Sequence, residues 1–218
     1  MTAKSIDWDH LSRQGHYCAH KMARFLYPDD SARKTFNRGK FVLRHDGSFR
    51  REAELALSIV NARGERLYSC AFSLAGSSTE LALVIGSVQG PEPGVSQPQQ
   101  QVRALTKAGH GLRPKSLVVM MVLALAEAMG AARVSAVRMK AHIFQAKRYS
   151  KKKRACLQAD YDELWQEFGA LSQDANFVRL QPVVRKPLEE IAAKKRAMYR
   201  RRYAWLDELQ LACRQALS

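Results

Sequence analysis

The chain has 218 residues, is 46% hydrophobic and carries 36 Lys+Arg against 20 Asp+Glu, a formal charge of +16 with a pI near 10.0. That length and apolar share suit one sizeable core, with or without a helical appendage. The charge points to an acidic partner: nucleic acid, an anionic lipid surface, or an acidic protein such as an acyl carrier protein. Cys18, Cys70, Cys156 and Cys213 form no CxxC pair, so zinc-ribbon and thioredoxin-like chemistry is set aside and reduced thiols are expected. The longest apolar run, 117–126, is half of the roughly 20 residues a membrane crossing needs. The opening MTAKSIDWDHLSRQ lacks a signal-peptide pattern. The expectation is a soluble, cytoplasmic protein, at most peripheral at the inner membrane.

Residues 8–27 read as helical in parts, interrupted near Gly15. His10, His16 and His20 lie close together there, and positions 16 and 20 share a helix face. Without a third ligand nearby no metal site is expected. After Pro28, Lys40 to Leu43 reads as a short strand and RHDG as a turn. Arg51 to Asn61 alternates, with Ala53, Leu55, Leu57 and Ile59 on one face and Glu52 and Glu54 on the other, which predicts a strand. ARGE (62–65) turns the chain, Leu67 to Leu74 is a second strand, and AGSS turns it again. Glu80 to Gln89 is more apolar and reads as a central strand, completing an antiparallel meander.

A Pro/Gly/Gln-rich loop over 90–101 leads to a short helix over 102–107. Gly109 and Gly111 make a turn before Pro114, which suits the first helical position because its missing N–H would have no partner there. The run from Leu117 to Ala126 predicts a helix covered on every side, ended by Gly130. Arg133 to Met139 reads as a strand, so the unit is strand–helix–strand with a right-handed crossover. A glycine turn at a helix start aims backbone N–H groups at one spot and can hold a phosphate, which Arg113 and Lys115 would steady. The pattern is neither GxxxxGK[ST] nor GxGxxG, so a P-loop and a dinucleotide fold are not expected.

The remainder is strongly basic. Residues 147–154 carry six basic side chains in eight residues, and DYDELWQEFG (160–169) is a polar–aromatic segment. Residues 187–217 predict one amphipathic helix. Leu188, Ile191, Met198, Trp205, Leu206 and Leu209 form its apolar face, opposite Lys194, Lys195, Arg196, Arg200, Arg201 and Arg202. The expected organisation is an N-terminal helical segment (1–39), an α/β core (40–169) and a basic helical extension (170–218).

HGLRPK (110–115), the REAELALSI strand, IGSVQG (85–90), DYDELW (160–165) and KKRAMYRRRY (194–203) together resemble the VirK/YbjX family over most of residues 15–210. The resemblance implies a bacterial domain linked to the PhoP-controlled envelope programme and to antimicrobial-peptide resistance, with no biochemical activity attached. Over roughly residues 40–149 the order of elements is also similar to GNAT-type acetyltransferases. That likeness implies a mixed, mostly antiparallel sheet with flanking helices, in which a Q/R-x-x-G-x-G/A turn holds the pyrophosphate of coenzyme A. Gly109 and Gly111 match its small positions, Thr106 stands where Gln or Arg belongs, and Leu112, Arg113 and Lys115 complete the expected donor site.

Under that reading the chain is an acyltransferase drawing on an acyl thioester, coenzyme A or acyl carrier protein. Its general base comes from Glu52, Glu54, His110 or His142. An acyl carrier donor suits the +16 charge better than free coenzyme A. A different reading makes the basic runs, with Tyr199, Tyr203 and Trp205, a binding module for anionic membrane or nucleic acid.

Overall fold

A computed structural model describes residues 40–45, 47–77, 80–145 and 161–217. His10, His16 and His20, the helical segment expected over 8–27 and the basic run 147–154 lie outside these residues. The alternating segments form four antiparallel strands: β1 (Lys40–His45), β2 (Leu55–Val60), β3 (Arg66–Ser77) and β4 (Glu80–Gln89). Asn61 shapes the β2–β3 turn, its Oδ1 accepting the N–H groups of Arg63 and Glu65, each at 3.0 Å.

β2 is shorter than the strand expected over 51–61. A 3-10 turn, Gly47–Phe49, precedes residues 51–54, and the N–H groups of Glu52 and Ala53 both donate to the Phe49 carbonyl. The reason lies in the sheet surface. Ala56 and Ala71 are small, and Phe49 and Ala53 bury themselves by lying across them. The neighbouring pair Ser58 and Ser69 is buried and satisfied by its own 2.8 Å hydrogen bond. Segment 49–54 therefore covers one face of the sheet instead of extending β2.

The crossover holds two helices, α1 (Pro98–Ala108) and α2 (Pro114–Ala128), before β5 (Arg133–Val137). α1 is longer than the helix expected over 102–107 because Pro98 can open it without losing a hydrogen bond. β5 runs parallel to β4, as a crossover strand must, from Ala82↔Arg133 to Ile85↔Ala136. Then come α3 (Tyr161–Gln166), β6 (Leu171–Ser172), β7 (Phe177–Leu180) and α4 (Ala193–Leu217). α4 begins later than the helix expected from 187. Leu188–Glu190 is a separate 3-10 turn, and Ile191 is extended and buried.

The seven strands lie in the order β1-β2-β3-β4-β5-β7-β6, antiparallel everywhere except β4–β5. This is the mixed, mostly antiparallel α+β class expected. α2 packs on β2, β3 and β4 with one side and on α4 with another, which explains an apolar surface all round. β6 and β7 fall in the segment expected to be helical, and they share one sheet with the rest. Leu206 and Leu209 of α4 join the same core as Leu57, Phe72 and Leu117. Leu117, 1% exposed, sits in that core, so Leu117→Ala should cost about 2–5 kcal/mol in urea unfolding. A change within error would contradict this packing.

Candidate functional site

The site grows from an interruption in the sheet. β3 and β4 pair Ala71↔Ser87 and Phe72↔Ile85, which leaves Gly86 as an unpaired bulge residue. β5 stops following β4 at the same place, since Ile85↔Ala136 is the last pair. Backbone groups of β4 beyond that point face a gap where β5 would have continued, and buried backbone groups need partners. Tyr161 of α3 supplies them. Its hydroxyl accepts the Val88 N–H at 3.1 Å and donates to the Val88 carbonyl at 3.0 Å. Trp165, one turn on, donates Nε1–H to the Val137 carbonyl at 2.8 Å, closing the other side.

Glu52 reaches this gap through its backbone. A Cβ built on Gly86 would stand 2.0 Å from the Glu52 carbonyl oxygen, so only glycine allows the approach. Glu52 Oε1 accepts a long 3.4 Å hydrogen bond from Gln89 Nε2. Burial raises the Glu52 pKa above its ordinary 4.5 and outweighs its own backbone N–H and the Arg51 charge. His142 follows β5 and stacks on Tyr161, with ring centroids 5.2 Å apart and planes 17° from parallel. Its Nδ1 accepts the Phe144 N–H at 3.3 Å, so the imidazole proton sits on Nε2. Burial lowers its pKa from 6.5 to about 4, which keeps the ring neutral. Burial also raises the Tyr161 pKa, against the Val88 hydrogen bond and with help from Cys70 and the Glu52 charge.

Among the described residues, Glu52 Oε2, Ser87 Oγ and His142 Nε2 are buried without a hydrogen-bond partner. Ser87 and His142 are 0% and 2% exposed. All three belong to the segments around the Tyr161–Val88 bridge: one acceptor, one N–H donor and one hydroxyl. Of the four candidate bases, the structure thus brings Glu52 and His142 to one tyrosine. Glu54 is exposed, and its N–H donates to Ser73 Oγ at 3.2 Å. His110 lies elsewhere, in the glycine turn.

That turn is closed by its own chemistry. The N–H groups of Gly109, His110, Gly111 and Leu112 donate to Leu105, Lys107, Thr106 and Gly109 carbonyls, capping α1. Thr106 spends its hydroxyl on the Val102 carbonyl. α4 covers the outside: Arg202 Nε and Nη2 donate to the His110 carbonyl at 3.1 and 2.7 Å. A Cβ on Gly111, at φ 78, would meet Arg202 Nη2 at 3.0 Å and Met198 Sδ at 3.2 Å. Desolvation and the charges of Arg201 and Arg202 lower the His110 pKa. Arg113 pairs with Glu167, and Ser116 Oγ donates to the other Glu167 oxygen at 2.9 Å. A carboxylate of the chain itself therefore stands at the positive end of α2. Lys115 is half-buried in the first turn of α2, and Leu112 packs at the edge of the core.

Tyr161, Ser87, Gly86 and Glu167 were not singled out by sequence reading. A glycine inside an otherwise apolar strand, as in IGSVQG, is the signal that could have located the bulge. A separate polar hollow, lined by Asn61, Arg63, Glu65, Gln97 and Gln101, holds none of the candidate residues.

Two expectations test this geometry. Gly86→Ala should lift segment 51–54 and return the Glu52 carboxyl to an ordinary pKa in a carbon-13 NMR titration; an unchanged titration would contradict the close approach. The second concerns pH. The unfolded chain binds more protons at His142 between about pH 4 and 6.5, so this group makes stability rise with pH across that window, by up to ~1.4 kcal/mol per unit. Glu52 acts in the opposite sense: above 4.5 the native state holds the extra proton, so stability falls as pH rises through its folded pKa. Urea unfolding across the acid range should lose the rising component in His142→Phe and the falling one in Glu52→Gln.

Residues 13–215 match the model of the family described as a protein of unknown function (DUF535). The chain is 34% identical over 164 residues to the uncharacterized protein YbjX of Escherichia coli strain K12, covering 75% of this chain and 49% of the relative. Two uncharacterized proteins of Haemophilus influenzae are similar. One is 34% identical over 75% of this chain and 53% of its own length, the other 33% over 67% and 46%. The chain thus spans about half the length of the curated relatives it matches. The family match and the separated motifs agree: this chain belongs to the DUF535, or VirK/YbjX, family.

Proposed function

We propose that this domain is an acyltransferase that moves an acyl group from a thioester to an amine or hydroxyl at the β4–β5 gap. The observation that carries the reading is Glu52, a half-buried carboxylate with raised pKa and an unpartnered Oε2 beside interrupted strand β4. A base of that kind works best when its pKa approaches the working pH. In the proposed step the acceptor heteroatom attacks the thioester carbonyl as its proton passes to Glu52. The C–S bond breaks, the acyl group stays on the acceptor, and the sulfur leaves as thiolate and takes the proton. Val88 N–H, once Tyr161 releases it, is the donor for the thioester carbonyl.

His142, held neutral against Tyr161, positions the phenol and is the poorer base. Glu54 and His110 have no place in the gap. An acyl carrier protein is the preferred donor over free coenzyme A. The amides of 109–112 are spent within the chain and Glu167 occupies the start of α2, which leaves that turn little to offer a diphosphate. Gly109, Gly111, Leu112, Arg113 and Lys115 then shape the donor side without cradling a pyrophosphate. The link to envelope maintenance implied by the family resemblance makes an envelope amine or hydroxyl the proposed acceptor.

The test follows thiol release from acylated carrier protein against a panel of amine and hydroxyl acceptors. Glu52→Gln should lower the rate about 100- to 10,000-fold with donor KM unchanged, and Glu54→Gln should leave it intact. A fully active Glu52→Gln enzyme would contradict the assignment.

A further inference from the structure

The first half of α4 carries Lys194, Lys195, Arg196, Arg200, Arg201 and Arg202 and no acid before Asp207. Cations at a helix start oppose its dipole, and no acidic side chain stands in this first turn to compensate. Arg196 and Arg202 have local uses: Arg196 bonds the Ile191 and Glu189 carbonyls, and Arg202 clamps His110. Lys194, Lys195, Arg200 and Arg201 are exposed and meet no carboxylate among the described residues. Elsewhere Arg66, Arg113, Arg133, Arg185 and Arg214 each find one, although acids are scarce in this chain. Those four on α4 are therefore a local excess of charge that the described fold does not use.

The row has a definite place. α1 ends at the Gly109–Leu112 turn, and its Arg103 and Lys107 are exposed one helical turn apart. α4 crosses the same turn through Met198, Arg202 and Trp205. Arg201 lies close enough to His110 for its charge to act on the imidazole. Spacings of four on α1 and seven on α4 put Arg103 with Lys107, and Lys194 with Arg201, on single helix faces that flank the turn.

Its chemistry narrows the partner. Exposed large apolar residues among those described are Leu171, Val184 and Leu211, all outside this face. With Leu206 and Leu209 buried in the core, this face offers little to insert into a bilayer. The tyrosines are engaged as well. Tyr199 lies 4.2 Å from the Arg202 guanidinium and edge-on to Tyr203 at 5.7 Å. Tyr203 donates to the Lys186 carbonyl at 3.0 Å and carries Arg185 at 5.2 Å from its ring. Bases would find no free aromatic platform on this stretch. A polar cation row on two rigid helices suits the acidic helix of a soluble protein, where complementary charge sets encounter rate and register.

We infer that the cationic face of α1 and α4 around the Gly109–Leu112 turn is the docking surface for an acyl carrier protein. The inference rests on the acyltransferase reading for the identity of the cargo, and the docking itself can be tested apart from it. The probe is fluorescently labelled palmitoyl acyl carrier protein, read by anisotropy against the full chain. Saturable binding should weaken as salt rises. The double variant Lys194→Glu/Arg201→Glu should bind about tenfold or more weakly, the neutral Lys194→Gln/Arg201→Gln by less, and Arg179→Glu on β7 as the unchanged protein. Melting temperatures verify that the exposed substitutions leave the fold intact.

Carrier binding that ignores both double variants overturns the docking surface. So does binding of phosphatidylglycerol vesicles or RNA, lost on charge reversal, with no binding of the carrier. Carrier binding through this face without any acyl transfer keeps the docking surface and removes the acyltransferase reading. Transfer from acyl-coenzyme A, with carrier use indifferent to the reversal, keeps the enzyme and removes the surface.

Discussion

The hydroxyl of Tyr161 holds both backbone groups of Val88, and much of the molecule depends on that bridge. β4 and β5 part after Ile85 because the Gly86 bulge shifts the register of β4. A buried N–H and carbonyl left open there would each carry a desolvation cost of about 1–3 kcal/mol. One phenol satisfies both. It also draws α3 against the sheet, so that Trp165 is fully buried and bonded to Val137. His142 then stacks on the phenol from the chain after β5. The segments around this defect carry a carboxylate, a hydroxyl and an imidazole that lack partners of their own.

Such unpartnered groups are costly, and a fold that keeps several in one neighbourhood departs from what stability alone favours. The rest of the core shows no such economy. α2 is apolar all round and enclosed by the sheet and α4, and the opposite sheet face is sealed by Phe49 and Ala53 on small residues. The glycine turn belongs to this structural scaffold. Its amides cap α1, and α4 clamps its outside through the His110 carbonyl. The contrast between a satisfied turn and an unsatisfied strand gap is the ground for placing the chemistry at β4.

Much of this was legible in the residues. Alternation at Leu55–Ile59 and over β4, Pro114 at a helix start and Gly130 after its end all found their elements. By residue type and alternation Glu52 reads as a carboxylate on a strand face. It stands in a turn, because Phe49 and Ala53 gain more by lying across Ala56 and Ala71 than by extending β2. Tyr161 could not be seen, since its partner Val88 is 73 residues away in sequence. β6 and β7 are too short, at two and four residues, for alternation to declare itself. The glycine turn read as a cradle because the partners of its amides depend on α1 extending to Ala108 and on α4 closing over it.

In the proposed mechanism a ligand takes the Val88 backbone in place of Tyr161. The direct measurement is a nitrogen-15 NMR titration of the full chain with palmitoyl acyl carrier protein, following the amides of Gly86, Ser87 and Val88 and the side chain of Trp165. The Val88 amide should move saturably with the acylated carrier and stay in place with the carrier lacking its acyl chain. Shifts confined to the cationic face of α4, with Val88 unmoved at saturation, would contradict it.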